Sequence, residues 1–228
     1  MFLYQLVNSN NELLMMLLFI CAYISSLLLA MSIHEFAHAH AALKEGDNTA
    51  KAVGRYTLAP FSHVDVSGII FLILFGFGWA KPVPVDPRNF KNGKKSAIRV
   101  YSAGILANLG VGILSAFIYC LIMNFVPQDF MMTAYGMAIE SFLAYMVQIN
   151  FIFAFFNILP FYSFDGYRII DTFLKPYSPF SQFMKKYSSI ILIIAILTGI
   201  ISMYVTYVPL QLAELVIKGF NEVFKLFI

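Results

Sequence analysis

Charge is what this sequence has least of. Asp, Glu, Lys and Arg make up only 12% of its 228 residues, about half the roughly 25% of a soluble domain. That deficit excludes a water-soluble globular enzyme. It is also concentrated. No charged side chain lies between Glu12 and Glu35, Arg99 and Asp129, Glu140 and Asp165, or Lys186 and Glu214. Each interval is longer than the roughly 20 residues a helix needs to cross a bilayer. Cysteine is scarce too: Cys21 and Cys120 are the only two, each inside an apolar interval and without metal-ligand spacing. Both read as small buried hydrophobes. The net charge of +3 comes with no long basic run, which argues against a nucleic-acid partner. There is no internal repeat, no low-complexity stretch and no G-x-S-x-G elbow for a serine hydrolase. Residues 1–12 carry no Lys or Arg, and the first apolar run leads straight into His34 and Glu35. No cleaved signal peptide is expected.

The sequence is 60% hydrophobic with a mean hydropathy of +0.78. It predicts an all-α polytopic membrane protein, one integral domain over residues 1–228 whose lipid partner is the bilayer. About four to six membrane segments are expected. Clear spans are predicted at 13–42, 97–125, 141–159 and 188–208, with helix stops at Gly46 and Pro160. An amphipathic tail follows from Pro209, in which Glu214, Lys218 and Glu222 fall four apart and Leu215, Phe220, Val223 and Phe227 supply apolar surface. Residues 66–80 are apolar but short and rich in glycine, so a re-entrant element buried in protein fits better than a crossing. A short β segment is expected at the cytoplasmic side. The loops 44–65, 81–99 and 166–187 carry Lys and Arg, whereas 126–140 has none. The positive-inside rule places the first three in the cytoplasm.

Chemistry concentrates at His34-Glu35-Phe36-Ala37-His38, an H-E-x-x-H sequence at the cytoplasmic end of the first span. Residues four apart on a helix differ by about 40° in direction. Both imidazoles therefore face one side and can bind one zinc ion, with Glu35 beside them to take a proton from water. Three of the four histidines fall within seven residues of an apolar helix, and ionisable groups there signal function. His40 points away from the other two and reads as interfacial. A catalytic zinc takes three protein ligands and leaves a position for water. Asp165, in the Asp165-Gly166 pair past Pro160, returns to the same membrane face and is the first candidate. The rival is the pair His63 and Asp65, which share one face of an extended segment.

These motifs resemble the site-2 protease family of intramembrane zinc metalloproteases. The resemblance rests on His34–His38, on Gly54-Arg55-Tyr56-Thr57-Leu58-Ala59-Pro60 with His63 and Asp65, on Gly78-Trp79-Ala80-Lys81-Pro82-Val83-Pro84, and on Asn157-Ile158-Leu159-Pro160 followed by Asp165-Gly166. It covers residues 32 to about 170, in a family-like core of about 13–187. It implies a zinc endopeptidase that cuts transmembrane proteins or peptides in or near the bilayer. One zinc would be held by His34, His38 and Asp165, with Glu35 as general base. Asn157 would lie near the scissile carbonyl or the metal, and Asn108 matches another short family pattern. Ala59, Ile105 and Ser163-Phe164 depart from that pattern without touching a candidate ligand or the base. The polar connections leave no room for the PDZ domain of many relatives. Substrate choice would then fall to the membrane core, the short loops or a partner, with self-association or a membrane partner both open. A membrane zinc transporter or zinc-binding regulator is the alternative, but it has no need of a carboxylate directly after the first histidine. An inactive scaffold is disfavoured because His34, Glu35 and His38 are all present.

Overall fold

The computed structural model describes residues 10–75 and 79–227. It is 77% helical. Four of its helices are long and apolar enough to cross a membrane. Together with the composition, this makes the chain an integral membrane protein.

Helix α1 runs Asn10–Lys44, with Glu12 in its first turn and Lys44 in its last, charges that suit the helix dipole. It stops where the sequence predicts. Gly46 has φ +105, and Asp47 N–H returns to the Ala42 carbonyl at 2.9 Å while Gly46 N–H bonds that of Leu43. Short helix α2, Thr49–Ala52, and α3, Val66–Phe75, follow. The ends of the segment predicted as re-entrant come together. Val64 bridges Ala80 in antiparallel fashion, and Lys81 N–H donates to the His63 carbonyl at 2.8 Å. This single bridge is all the β structure among the described residues. The middle of the segment, residues 76–78, lies outside them.

Helix α4, Lys94–Phe125, is followed by α5, Gln128–Met131, and α6, Ala134–Ile158. Helix α6 starts earlier than the predicted 141, because Thr133 caps it by accepting from Gly136 N–H. The apolar reading had counted Glu140 as connector, but Glu140 is within the helix and accepts from Tyr119 O–H at 3.4 Å. Proline ends α6: Leu159, before Pro160, is already extended, as pre-proline residues prefer. Then come α7, Asp165–Asp171, α8, Pro179–Leu197, and α9, Ile200–Phe224.

The last two helices correct the predicted division of the C-terminal region. A single span over 188–208 does not form. The break falls at Gly199, with φ +76, and Pro209 lies inside α9. The tail packs into the bundle through Ala213, Val216, Ile217 and Phe220 against Ala116, Val147 and Phe151, while Leu215, Val223 and Phe227 are exposed. Of the four predicted apolar residues, Phe220 packs inward and the other three face outward.

Helices α1, α4 and α6 form the packed centre, with α9 against α4 and α6, and α7 against α4. Small residues let the three approach: Ala30, Ala116 and Ala154 are fully buried. Without a hydrophobic force between helices in lipid, such close packing and interhelical polar contacts hold the bundle.

Candidate metal centre

The last third of α1 brings His34, Glu35 and His38 against α4, and each has under a tenth of its surface exposed. The two imidazoles are oriented through their Nδ1 atoms. His34 Nδ1 lies 2.6 Å from Asn108 Oδ1. The Asn108 amide is itself fixed, since its Nδ2 donates to the Ala30 carbonyl at 3.1 Å and to Asn150 Oδ1 at 2.8 Å. Asn150 in turn donates to the Met146 carbonyl. An amide nitrogen used in this way leaves its oxygen as the acceptor for His34. His38 Nδ1 lies 2.8 Å from the Val100 carbonyl, which can only accept. In the neutral imidazoles the proton therefore sits on Nδ1 and the Nε2 lone pair faces inward.

Asp165 completes the group. Its Oδ2 is 3.2 Å from His34 Nε2 and 3.0 Å from His38 Nε2, and the two Nε2 atoms are 3.1 Å apart. With both imidazoles neutral, two ring nitrogens and a carboxylate oxygen converge as acceptors, the arrangement a bound cation requires. A tetrahedral zinc with bonds of about 2.0–2.1 Å spaces its ligand atoms about 3.3 Å apart. The observed triangle fits that size, and two imidazoles with one carboxylate are ordinary zinc donors.

Two glycines make the approach feasible. A Cβ on Gly104 would lie 2.5 Å from His38 Nε2 and 2.7 Å from His34 Nε2, so any side chain there would occupy the metal's place. A Cβ on Gly166 would lie 2.1 Å from the Ile158 carbonyl oxygen. Only glycine lets the chain fold back on the end of α6 and present Asp165.

The rival pair does not reach the centre. His63 is fully buried with Nε2 2.8 Å from the Thr57 carbonyl. Asp65 caps α3, its Oδ1 accepting from the N–H groups of Ser67 and Gly68. His40 turns away and meets Tyr56 Oη at 3.0 Å. Among the described residues, His34, His38 and Asp165 are the only group of three able to hold a metal.

A cleft of about 60 Å³ opens at this group, room for an ion and a few waters. Glu35 and Asn157 line it. Val83 N–H donates to Glu35 Oε2 at 2.6 Å, so the segment after Ala80 forms a wall and fixes the glutamate. The other carboxylate oxygen has no partner among the described residues. Asn157 donates to the Phe153 carbonyl at 3.0 Å.

Residues 22–199 match the model of Peptidase family M50. The chain belongs to that family, the site-2 proteases. Over 151 residues it is 37% identical to the "Putative zinc metalloprotease YwhC" of Bacillus subtilis (strain 168), covering 66% of this chain and 68% of that protein. No solved structure matches it. Membership of M50 makes the chain a metallopeptidase of a zinc-dependent class. The M50 match takes in His34, Glu35, His38, Asn108, Asn157 and Asp165, and leaves out α9.

Sequence reasoning missed Asn150, the Val100 carbonyl and the Val83 amide. Asn150 had a usable signal, an amide in the middle of an apolar helix. The backbone groups had none, since any residue offers them.

Proposed function

We propose that the chain is an intramembrane zinc endopeptidase that cuts membrane-protein substrates in or near the bilayer. His34, His38 and Asp165 hold one zinc, and Glu35 is the general base. The observation that carries this reading is the convergence of two Nε2 lone pairs and a carboxylate oxygen at 3.0–3.2 Å beside a glutamate lining the same cleft.

Zinc bound there would polarise the scissile carbonyl and bring the pKa of its water towards about 7. Glu35 accepts the proton of the attacking water on its unpartnered oxygen and passes it to the leaving amine. The Val83 amide holds Glu35 in place during that transfer. Asn108 and Val100 keep the ligand nitrogens aimed inward. Asn157, on the cleft wall, is placed to contact the substrate backbone. The positive loops support a cleft near the cytoplasmic face, and the joined ends of the 66–80 segment favour a re-entrant element beside it.

The test is cleavage by the purified protein in detergent. A labelled transmembrane peptide is offered beside a soluble peptide of equal length, with and without a chelator. We expect cleavage of the transmembrane peptide, its loss on chelation, and its return with added zinc. Cleavage of the soluble peptide alone would overturn the membrane-substrate reading.

A further inference from the structure

Arg168 lines the same cleft as the metal group and Glu35, and its charge is unanswered. The arginine and lysine ion pairs among the described residues are those of Arg88, Arg99 and Lys225, and Arg168 makes none. Both acids on its own helix are engaged elsewhere. Asp165 faces the histidines, and Asp171 Oδ1 accepts from Ser181 Oγ at 3.0 Å and from Tyr167 Oη at 3.2 Å. Glu35 is held by Val83. The guanidinium rests instead over the Tyr101 ring, 5.8 Å from its centroid, within cation–π range. Tyr101 also lines the cleft, so this contact fixes the cation at the cleft wall.

Pro82, Val83 and Val85 add apolar lining to the same cleft. The guanidinium is partly buried with only the Tyr101 ring against it, and a carboxylate brought by a ligand would supply the charged partner it lacks. Resting on the peptidase reading above, we infer that Arg168 is a specificity-determining residue that binds a substrate carboxylate close to the scissile bond. Arg168 lies about one helical turn, roughly 5 Å, beyond Asp165, so the carboxylate falls about one or two residues from the bond along an extended chain. Its source is either an Asp or Glu side chain of the substrate or a free chain end. Bidentate arginine recognition suits both.

The experiment scans one aspartate through the positions flanking the cleavage site of a labelled peptide, and offers a parallel set ending near that site as free acid or amide. The readout is the ratio of kcat/KM for charged over neutral peptide. Wild type should favour the charged peptide by about tenfold to a hundredfold, at one position within about two residues of the bond. Arg168→Gln should bring the ratio to about one, and Arg168→Glu should invert it in favour of lysine peptides. A preference confined to the scan identifies the side chain, and one confined to the free acid identifies the chain end. A ratio unchanged in Arg168→Gln overturns the inference. Binding of the same peptides to zinc-loaded Glu35→Gln protein, with and without Arg168→Gln, gives the ratio without turnover. Absent cleavage of every peptide by wild type would sink the peptidase reading, while that binding ratio still decides the role of Arg168.

Discussion

Replacing Gly104 with alanine places one methyl group where the geometry says the metal belongs. The new Cβ would stand 2.5 Å from His38 Nε2 and 2.6 Å from His34 Cε1, about 1 Å inside ordinary contact. Something must give. If α4 retreats, the His38–Val100 contact at 2.8 Å and the His34–Asn108 contact at 2.6 Å are both stretched. If the rings rotate instead, their Nε2 atoms leave Asp165. Overpacking of this kind costs about 1–3 kcal/mol, and disturbed partners of metal ligands cost about 10–100-fold in metal affinity. The assay is zinc per chain after dialysis against a graded chelator, with thermal unfolding measured alongside. Gly110→Ala in the same helix is the control, since a Cβ there meets nothing within 4 Å. We expect weakened zinc binding in Gly104→Ala and full binding in Gly110→Ala. Wild-type zinc affinity in Gly104→Ala would refute the claim that α4 presses its backbone against the ligands.

Asp165→Ala should lose most of its zinc, while His63→Ala and Asp65→Ala keep theirs; the opposite pattern, read as zinc content per purified chain, would move the third ligand to the loop. Asn108→Leu should lower zinc affinity by about 10–100-fold by freeing His34, checked by competition with a chromogenic chelator, and unaltered affinity would show that Asn108 does not position the ring. Reporter fusions at Asn92 and Lys175 should both report the cytoplasm and one at Gln128 the far side. Opposite sides for the first two would mean that 66–80 crosses the membrane.

The metal group was legible because its chemistry follows helical period. His34 and His38 share a face at any helix rotation, and the charge-free intervals located their helix end. Asp165 was legible through topology, as a carboxylate returned to the same face after a proline. The rival pair failed for local reasons: His63 turns into its own loop, and Asp65 is used as a helix cap. In the C-terminal region glycine, not proline, breaks the helix. Pro209 is buried in α9, where neighbouring helices tolerate a proline that water would not. Gly199 hides inside an apolar run yet takes the left-handed conformation that ends α8. The tail's buried face is set by packing against Ala116 and Phe151, which no pattern within the tail encodes. Nothing in the sequence marks Gly104 as the residue that leaves space for an ion.

The most direct measurement compares Glu35→Gln with wild type for zinc content and cleavage of the same transmembrane peptide. The account predicts about one zinc per chain in both proteins and no cleavage by Glu35→Gln, because the glutamate moves a proton and binds no metal. Wild-type cleavage by Glu35→Gln, or loss of zinc with that substitution, would contradict it.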